Sequence, residues 1–164
     1  MRLASCALLF FLCAVPASAS VLVRIDNAAQ HMSVLVDGAP VYSWPVSTAR
    51  KGYQTPAGSY RVQRMERMWY SRKYDNAPMP YALFFRGGYA IHGTYSVRQL
   101  GRPASHGCVR LSRANASTLF ALVRQHGGAR VVVTNGSPES YARLRGRRAG
   151  ARKPIHPAGA DAPD

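Results

Sequence analysis

Residues 103–111 read PASHGCVRL, and the reading of this stretch decides the architecture of the chain. It holds one thiol, Cys108, directly after a His-Gly pair. The other two cysteines, Cys6 and Cys13, fall in a leader-like start. There Arg2 supplies a positive charge, Leu3 to Val15 is mostly apolar, and Ala17-Ser18-Ala19 offers the small residues that a signal peptidase reads. The apolar run is shorter than the roughly 20 residues of a membrane-spanning helix. Residues 1–19 are therefore expected to be a signal peptide cleaved after Ala19, with the mature chain in the periplasm or cell envelope. Cleavage leaves Cys108 without an internal disulfide partner. It is either a small buried hydrophobe or a working thiol.

Working outward, CVRL (108–111) reads as a short strand and Ser112 as the cap of a helix that follows. Ala116, Leu119, Phe120 and Val123 recur at helical spacing and make one apolar stripe, and Gly127 supplies the stop. ARVVVTN closes with a buried-type strand. Upstream, VLVRID (21–26) alternates, and two apolar-rich runs flank Asp37-Gly38 as a hairpin. TPAG (55–58) is turn chemistry, followed by SYRVQRM as one strand. ALFF and YAIH flank Arg86-Gly87-Gly88 as a second hairpin. Short strands at regular spacing predict a mainly β domain, a sandwich or barrel with one packed helix, over residues 20–137.

The chain carries a formal charge of +15, reduced to +14 once Arg2 leaves. Export turns that charge away from nucleic acid and toward another polyanion, such as a cell-wall polymer or anionic membrane. Six of the basic residues, Arg143 to Lys153, crowd a Pro/Ala-rich segment over 138–164 with few large apolar side chains. This segment is expected to be a disordered tail, either an electrostatic tether to an anionic wall or membrane surface or a solvated extension.

A thiol attacks as thiolate, and its ordinary pKa near ~8.5 leaves little thiolate at neutral pH. Two histidines could take the proton, His106 and His92. In an extended segment residues two apart stand about 6–7 Å apart, whereas neighbouring strands bring β-carbons to about 4.5–5.5 Å. That favours His92, on the YAIH strand. No Asp or Glu lies between Asp75 and Glu139, so a backbone carbonyl, with Gly93 nearest, is the expected orienter of the imidazole. Gly107 and Cys108 could donate N–H groups to an oxyanion. His106 reads equally as a loop strut or a substrate contact. Zinc on His92, His106 and Cys108 would lack the closed four-ligand, thiolate-richer set of structural sites, so no metal is expected. The aromatic-rich 68–79 segment reads as a loop of undecided role at the cleft, its Trp69, Tyr70 and Tyr74 assigned mainly to packing.

IHGT followed by LGRPASHGCVRL closely resembles the L,D-transpeptidase (YkuD-type) catalytic domain, whose signature is a His, a gap, then Ser/Thr-His-Gly-Cys. SWPVSTARKGYQTPAGSYRV and NAPMPYALFFRGGYAIHG extend the likeness, so it covers roughly Val21 to Thr134. The resemblance implies a β-sandwich cysteine transferase acting on peptidoglycan stem peptides without a cofactor. The family's nucleophile falls on Cys108, its base on His92 and the orienting carbonyl on Gly93. Gly107 and His106 line the site, and Ser105 and Arg110 join the substrate contacts. Many members carry Asn at the position of Arg110, although Arg also occurs. The implied reaction releases D-Ala from a stem tetrapeptide and passes the acyl group to an amine, giving a cross-link or an anchored protein. Water as acceptor would make an L,D-carboxypeptidase, and a non-catalytic cationic wall-binding module is the contrasting reading. Substrate carboxylates would suit Arg86, Arg98, Arg102 and Arg110.

Overall fold

The computed structural model describes residues 20–136. The leader at 1–19 and the basic tail at 138–164 lie outside the described residues. Nine strands and one α-helix follow one another: β1 (Val21–Asp26), β2 (His31–Val36), β3 (Ala39–Pro45), β4 (Gly58–Arg61), β5 (Arg64–Ser71), β6 (Ala77–Arg86), β7 (Tyr89–Thr94), β8 (Val109–Ser112), α1 (Arg113–Gln125) and β9 (Arg130–Thr134). They form a five-stranded sheet in the order β3-β2-β1-β9-β4 and a four-stranded sheet in the order β5-β6-β7-β8. Pairing is antiparallel except for β1 with β9 and β7 with β8. The domain is mainly β, with two mixed sheets and one packed helix.

Alternation along the strands explains the layering. Val23, Ile25, Met32 and Val34 from the first sheet meet Leu83, Phe85, Ile91, Val109 and Leu111 from the second in one buried cluster. Ala116, Leu119, Phe120 and Val123 of α1 join it, the stripe that the helical spacing predicted. Each fully buried Leu, Ile, Val or Phe contributes about 1.5–3 kcal/mol. The helix starts where the Ser112 hydroxyl accepts the Asn115 N–H (3.1 Å) and stops at Gly127, φ 69°. At the first hairpin Asp37 and Gly38 both take positive φ (50° and 80°), the pairing that a tight two-residue turn demands.

Two expectations are revised. SYRVQRM is not one strand but the end of β4 and the start of β5, which belong to different sheets. Between them the Val62 N–H binds the Ala129 carbonyl and the Gln63 N–H binds the Phe84 carbonyl, so the chain changes hydrogen-bonding partner within two residues. The 68–79 segment is not a loop either: it is a hairpin of β5 and β6 with a short turn over 72–76.

Candidate active site

The second sheet has two unlike faces. Ile91, Val109 and Leu111 turn into the core, so the period of two turns Ala90, His92, Cys108 and Arg110 the other way. The parallel register pairs Ile91 with Val109 and His92 with Arg110. It therefore sets β7 beside β8, with Cys108 in the bend one residue before β8 rather than in the strand expected over 108–111. A cavity of about 1240 Å³ opens there, lined by Cys108, His92, His106, Arg110 and the β5–β6 hairpin. Beneath it Met79, Ala82, Phe84 and Ala90 make a small apolar cluster against which Cys108 and Trp69 pack.

The turn that delivers Cys108 is held from several sides. The Thr48 carbonyl accepts the N–H groups of Ala104 and Ser105 (3.0 and 2.9 Å), and Ser47 and Arg110 exchange backbone bonds. The Thr55 hydroxyl donates to the Gly107 carbonyl at 2.8 Å. Gly107 has φ 132°, and a β-carbon there would stand 2.7 Å from the Tyr89 ring. Only glycine fits this bend. Ser105, assigned to substrate contact from the sequence, is sealed from solvent, and its hydroxyl accepts the Gly107 N–H at 3.0 Å. It acts through Gly107, and that N–H is engaged rather than open toward an oxyanion.

His92 is buried at 6 % exposure, and its Nδ1 lies 2.8 Å from the Gly93 carbonyl. A carbonyl only accepts, so Nδ1 carries the proton and Nε2 is left as the basic nitrogen of the neutral ring. Burial pulls the His92 pKa down to about 4; the Gly93 carbonyl opposes this and the Arg110 charge adds to it. Gly93 itself faces the helix: a β-carbon there would meet the Arg113 Cα and Pro80 at 3.2 Å. Burial likewise pushes the Cys108 thiol up, against the opposing influence of the Ala90 N–H and the Arg110 cation. Both groups rest neutral near pH 7. The thiol donates to the Gly88 carbonyl at 3.7 Å, a bond that must be given up before the proton passes to an imidazole.

His106 stands at the rim between two tyrosines. Tyr74, in the hairpin turn, stacks on it with centroids 4.4 Å apart and planes 10° apart, and Tyr53 meets it edge-on at 4.7 Å. Neither tyrosine was singled out as a partner of His106; both contacts join segments distant in sequence, and no local pattern announces them. Trp69 packs edge-on against Phe84, while Tyr70 is exposed. Of the four arginines suggested for carboxylates, Arg110 lines the cavity, half-buried, with Nη1 3.2 Å from Gln99 Oε1. Arg86 instead donates to the Tyr60 hydroxyl, and neither it nor Arg98 and Arg102 lines the cavity.

A β-sandwich that turns a thiol and a buried, carbonyl-held imidazole into one cleft defines the class of domain, and residues 20–133 match the YkuD family, described as the L,D-transpeptidase catalytic domain. The chain belongs to this family of cysteine transpeptidases, which acts on peptidoglycan peptides. Among solved structures it is similar to an L,D-transpeptidase from Mycobacterium smegmatis, at 26% identity and a TM-score of 0.63 over 71% of this chain and 59% of that one. An L,D-transpeptidase from Stackebrandtia nassauensis matches at 27% identity and a TM-score of 0.63, covering 73% and 57%. One from Xylanimonas cellulosilytica matches at 31% identity and a TM-score of 0.59, covering 73% and 62%. The chain thus spans about three-fifths of the length of these structures. No curated protein matches it by sequence.

Proposed function

We propose that this chain is an exported cysteine L,D-transpeptidase of the periplasm or cell envelope, acting on stem tetrapeptides of peptidoglycan. One observation carries the reading: His92 on β7 and Cys108, the residue just before β8, line the same cavity, with Nδ1 of the imidazole occupied by the Gly93 carbonyl. Nε2 of His92 takes the thiol proton as Sγ bonds to the carbonyl carbon of the third stem residue. With a base whose pKa is about 4, a free ion pair is unfavourable, so proton transfer and C–S bond formation proceed together. The Arg110 charge favours the developing thiolate. The tetrahedral oxyanion is assigned to the Cys108 N–H, since the Gly107 N–H is engaged by Ser105.

Collapse breaks the C–N bond, and D-Ala leaves with the proton from the imidazolium. An acceptor amine then attacks the thioester, gives its proton to Nε2, and restores the thiol. Water in the amine's place would yield a trimmed tripeptide. A purely electrostatic wall-binding module gains nothing from a buried imidazole beside a thiol, and burying that imidazole disfavours its charged form.

The test is incubation with disaccharide tetrapeptide followed by mass analysis of protein and products. An acyl adduct on Cys108 with loss of D-Ala, absent in Cys108→Ala, is expected, together with a cross-linked dimer. Tripeptide alone would replace transfer by hydrolysis, and folded, reduced protein of unchanged mass with intact substrate would overturn both.

A further inference from the structure

Beneath the turn that carries Cys108 lies a run of buried polar groups that begins in the other sheet. Gln30 closes the turn between β1 and β2, 4 % exposed and with φ 50°. A long side chain holds that left-handed conformation only at a cost, yet Gln30 keeps it, with its amide turned onto Thr48. Gln30 Oε1 accepts the Thr48 N–H at 2.8 Å, while Nε2 donates to the Thr48 hydroxyl at 2.6 Å and to the Asn27 carbonyl. A backbone N–H only donates and a carbonyl only accepts, so the amide has one orientation. The Gln30 carbonyl also accepts the Val46 N–H at 2.9 Å. Main chain and side chain of one residue thus grip the segment that leaves β3.

Thr48, itself buried, passes that hold toward the thiol. Its carbonyl accepts the N–H groups of both Ala104 and Ser105. The Ser105 hydroxyl then accepts the Gly107 N–H, and Thr55, whose hydroxyl oxygen takes the Ala49 N–H at 3.0 Å, donates to the Gly107 carbonyl. Gln30, Thr48, Thr55 and Ser105 are all buried, so water does not readily replace a lost partner. Resting on the function proposed above, we propose that Gln30 is a positioning residue for the thiol: through Thr48 and Ser105 it fixes the bend from which Cys108 enters the cleft. Gln30 does not line the cavity. Its amide sets the place of the Thr48 carbonyl, and that carbonyl sets the place of the 104–107 bend. A loosened bend leaves the core packed but spreads the sulfur over positions from which attack is misaligned.

Two readouts test this, one of them independent of turnover. Gln30→Met keeps the length of the side chain and loses its three bonds. Amide hydrogen exchange at Ala104 and Ser105 is expected to quicken about tenfold relative to the β9 amides. Acylation of Cys108 by disaccharide tetrapeptide, followed by time-resolved intact mass, should slow about tenfold in the folded variant. Leu119→Ala empties a helix site with 0 % exposure and controls for lost stability alone; it should move neither readout by more than about twofold. Gln30→Glu adds a signature that lost stability does not produce. Its buried carboxyl is neutral at pH 5 and donates again, then ionises against the Asn27 carbonyl as the pH rises. Its acylation rate relative to the parent should therefore fall about tenfold from pH 5 to pH 8. Acylation of Gln30→Met within about twofold of the parent, unchanged exchange at Ala104 and Ser105, or a Gln30→Glu profile that tracks the parent would each overturn the assignment. Should Gln30→Met not fold, the Gln30→Glu profile decides. A parent that is never acylated, with exchange at Ala104 and Ser105 still quickened in Gln30→Met, would overturn the transferase reading and leave the positioning role standing.

Discussion

The two faces of the four-stranded sheet are built from the same strands and do opposite things. Toward the helix and the first sheet, Leu83, Phe85, Ile91, Val109 and Leu111 pack in one buried apolar cluster. Toward the cleft, one residue along each strand, stand Phe84, His92, Cys108 and Arg110, around a cavity large enough for a peptide. The inward face stabilises; the outward face gives up packing for reactive groups whose pKa values burial has shifted. A single residue of register is all that separates the two sets. Substitutions on one face should therefore alter rate with little effect on folding, and on the other face folding with little direct effect on rate.

The largest effect expected on the cleft face is that of His92→Ala, which removes the base. Acylation of Cys108 should slow by ~10²–10⁴-fold while the circular dichroism spectrum is unchanged, as time-resolved intact mass would read. A slowing of less than about fivefold would assign the base elsewhere and dissolve the contrast. On the inward face, Leu111→Ala empties a site with 0 % exposure. A loss of about 2–5 kcal/mol in urea unfolding is expected, with acylation of the remaining folded protein close to the parent rate.

Acid sharpens the comparison, because it acts on the cleft face alone. The folded His92 pKa is about 4 against an ordinary 6.5. Between these values the unfolded chain binds a proton that the folded chain refuses, so stability falls as pH drops from 6.5 toward 4. The contribution is about 3 kcal/mol, present above pH 6.5 and absent from His92→Gln, as urea titrations at several pH values would measure. The same neutral ring should keep acylation flat from about pH 5 to 7. The smallest effect belongs to Ser105→Ala, which removes the acceptor of the Gly107 N–H. A loss of about 1–3 kcal/mol in stability is expected from that orphaned donor, with acylation slowed about tenfold as Cys108 loses its fixed position. An acylation rate unchanged within twofold would show that the hydroxyl does not position the thiol.

Period and spacing made much of this legible. Alternation gives the strands, the Ala116-Leu119-Phe120-Val123 stripe gives α1, and Asp37-Gly38 gives the first turn. The pairing of the YAIH and CVRL strands was also readable, because the intervening segment is long and glycine-containing. What could not be read depends on contacts across the chain. The passage from β4 to β5 is decided by the carbonyls of Ala129 and Phe84, which SYRVQRM itself does not contain. Likewise the rings around His106 come from residues 53 and 74, and the bond to Ser105 comes from a bend at Gly107 where the Tyr89 ring and the Gln54 carbonyl leave no room for a side chain.

Gly93 sits where those two worlds touch. Its carbonyl sets the tautomer of His92, while the hydrogen in place of its side chain leaves just enough room for the first turn of α1 and for Pro80. A methyl group there would push on helix and imidazole in the same stroke. The position thus transmits any slackening of the helix dock into proton transfer, and a thermal transition followed at the helix should coincide with the one followed through the reactivity of the sulfur.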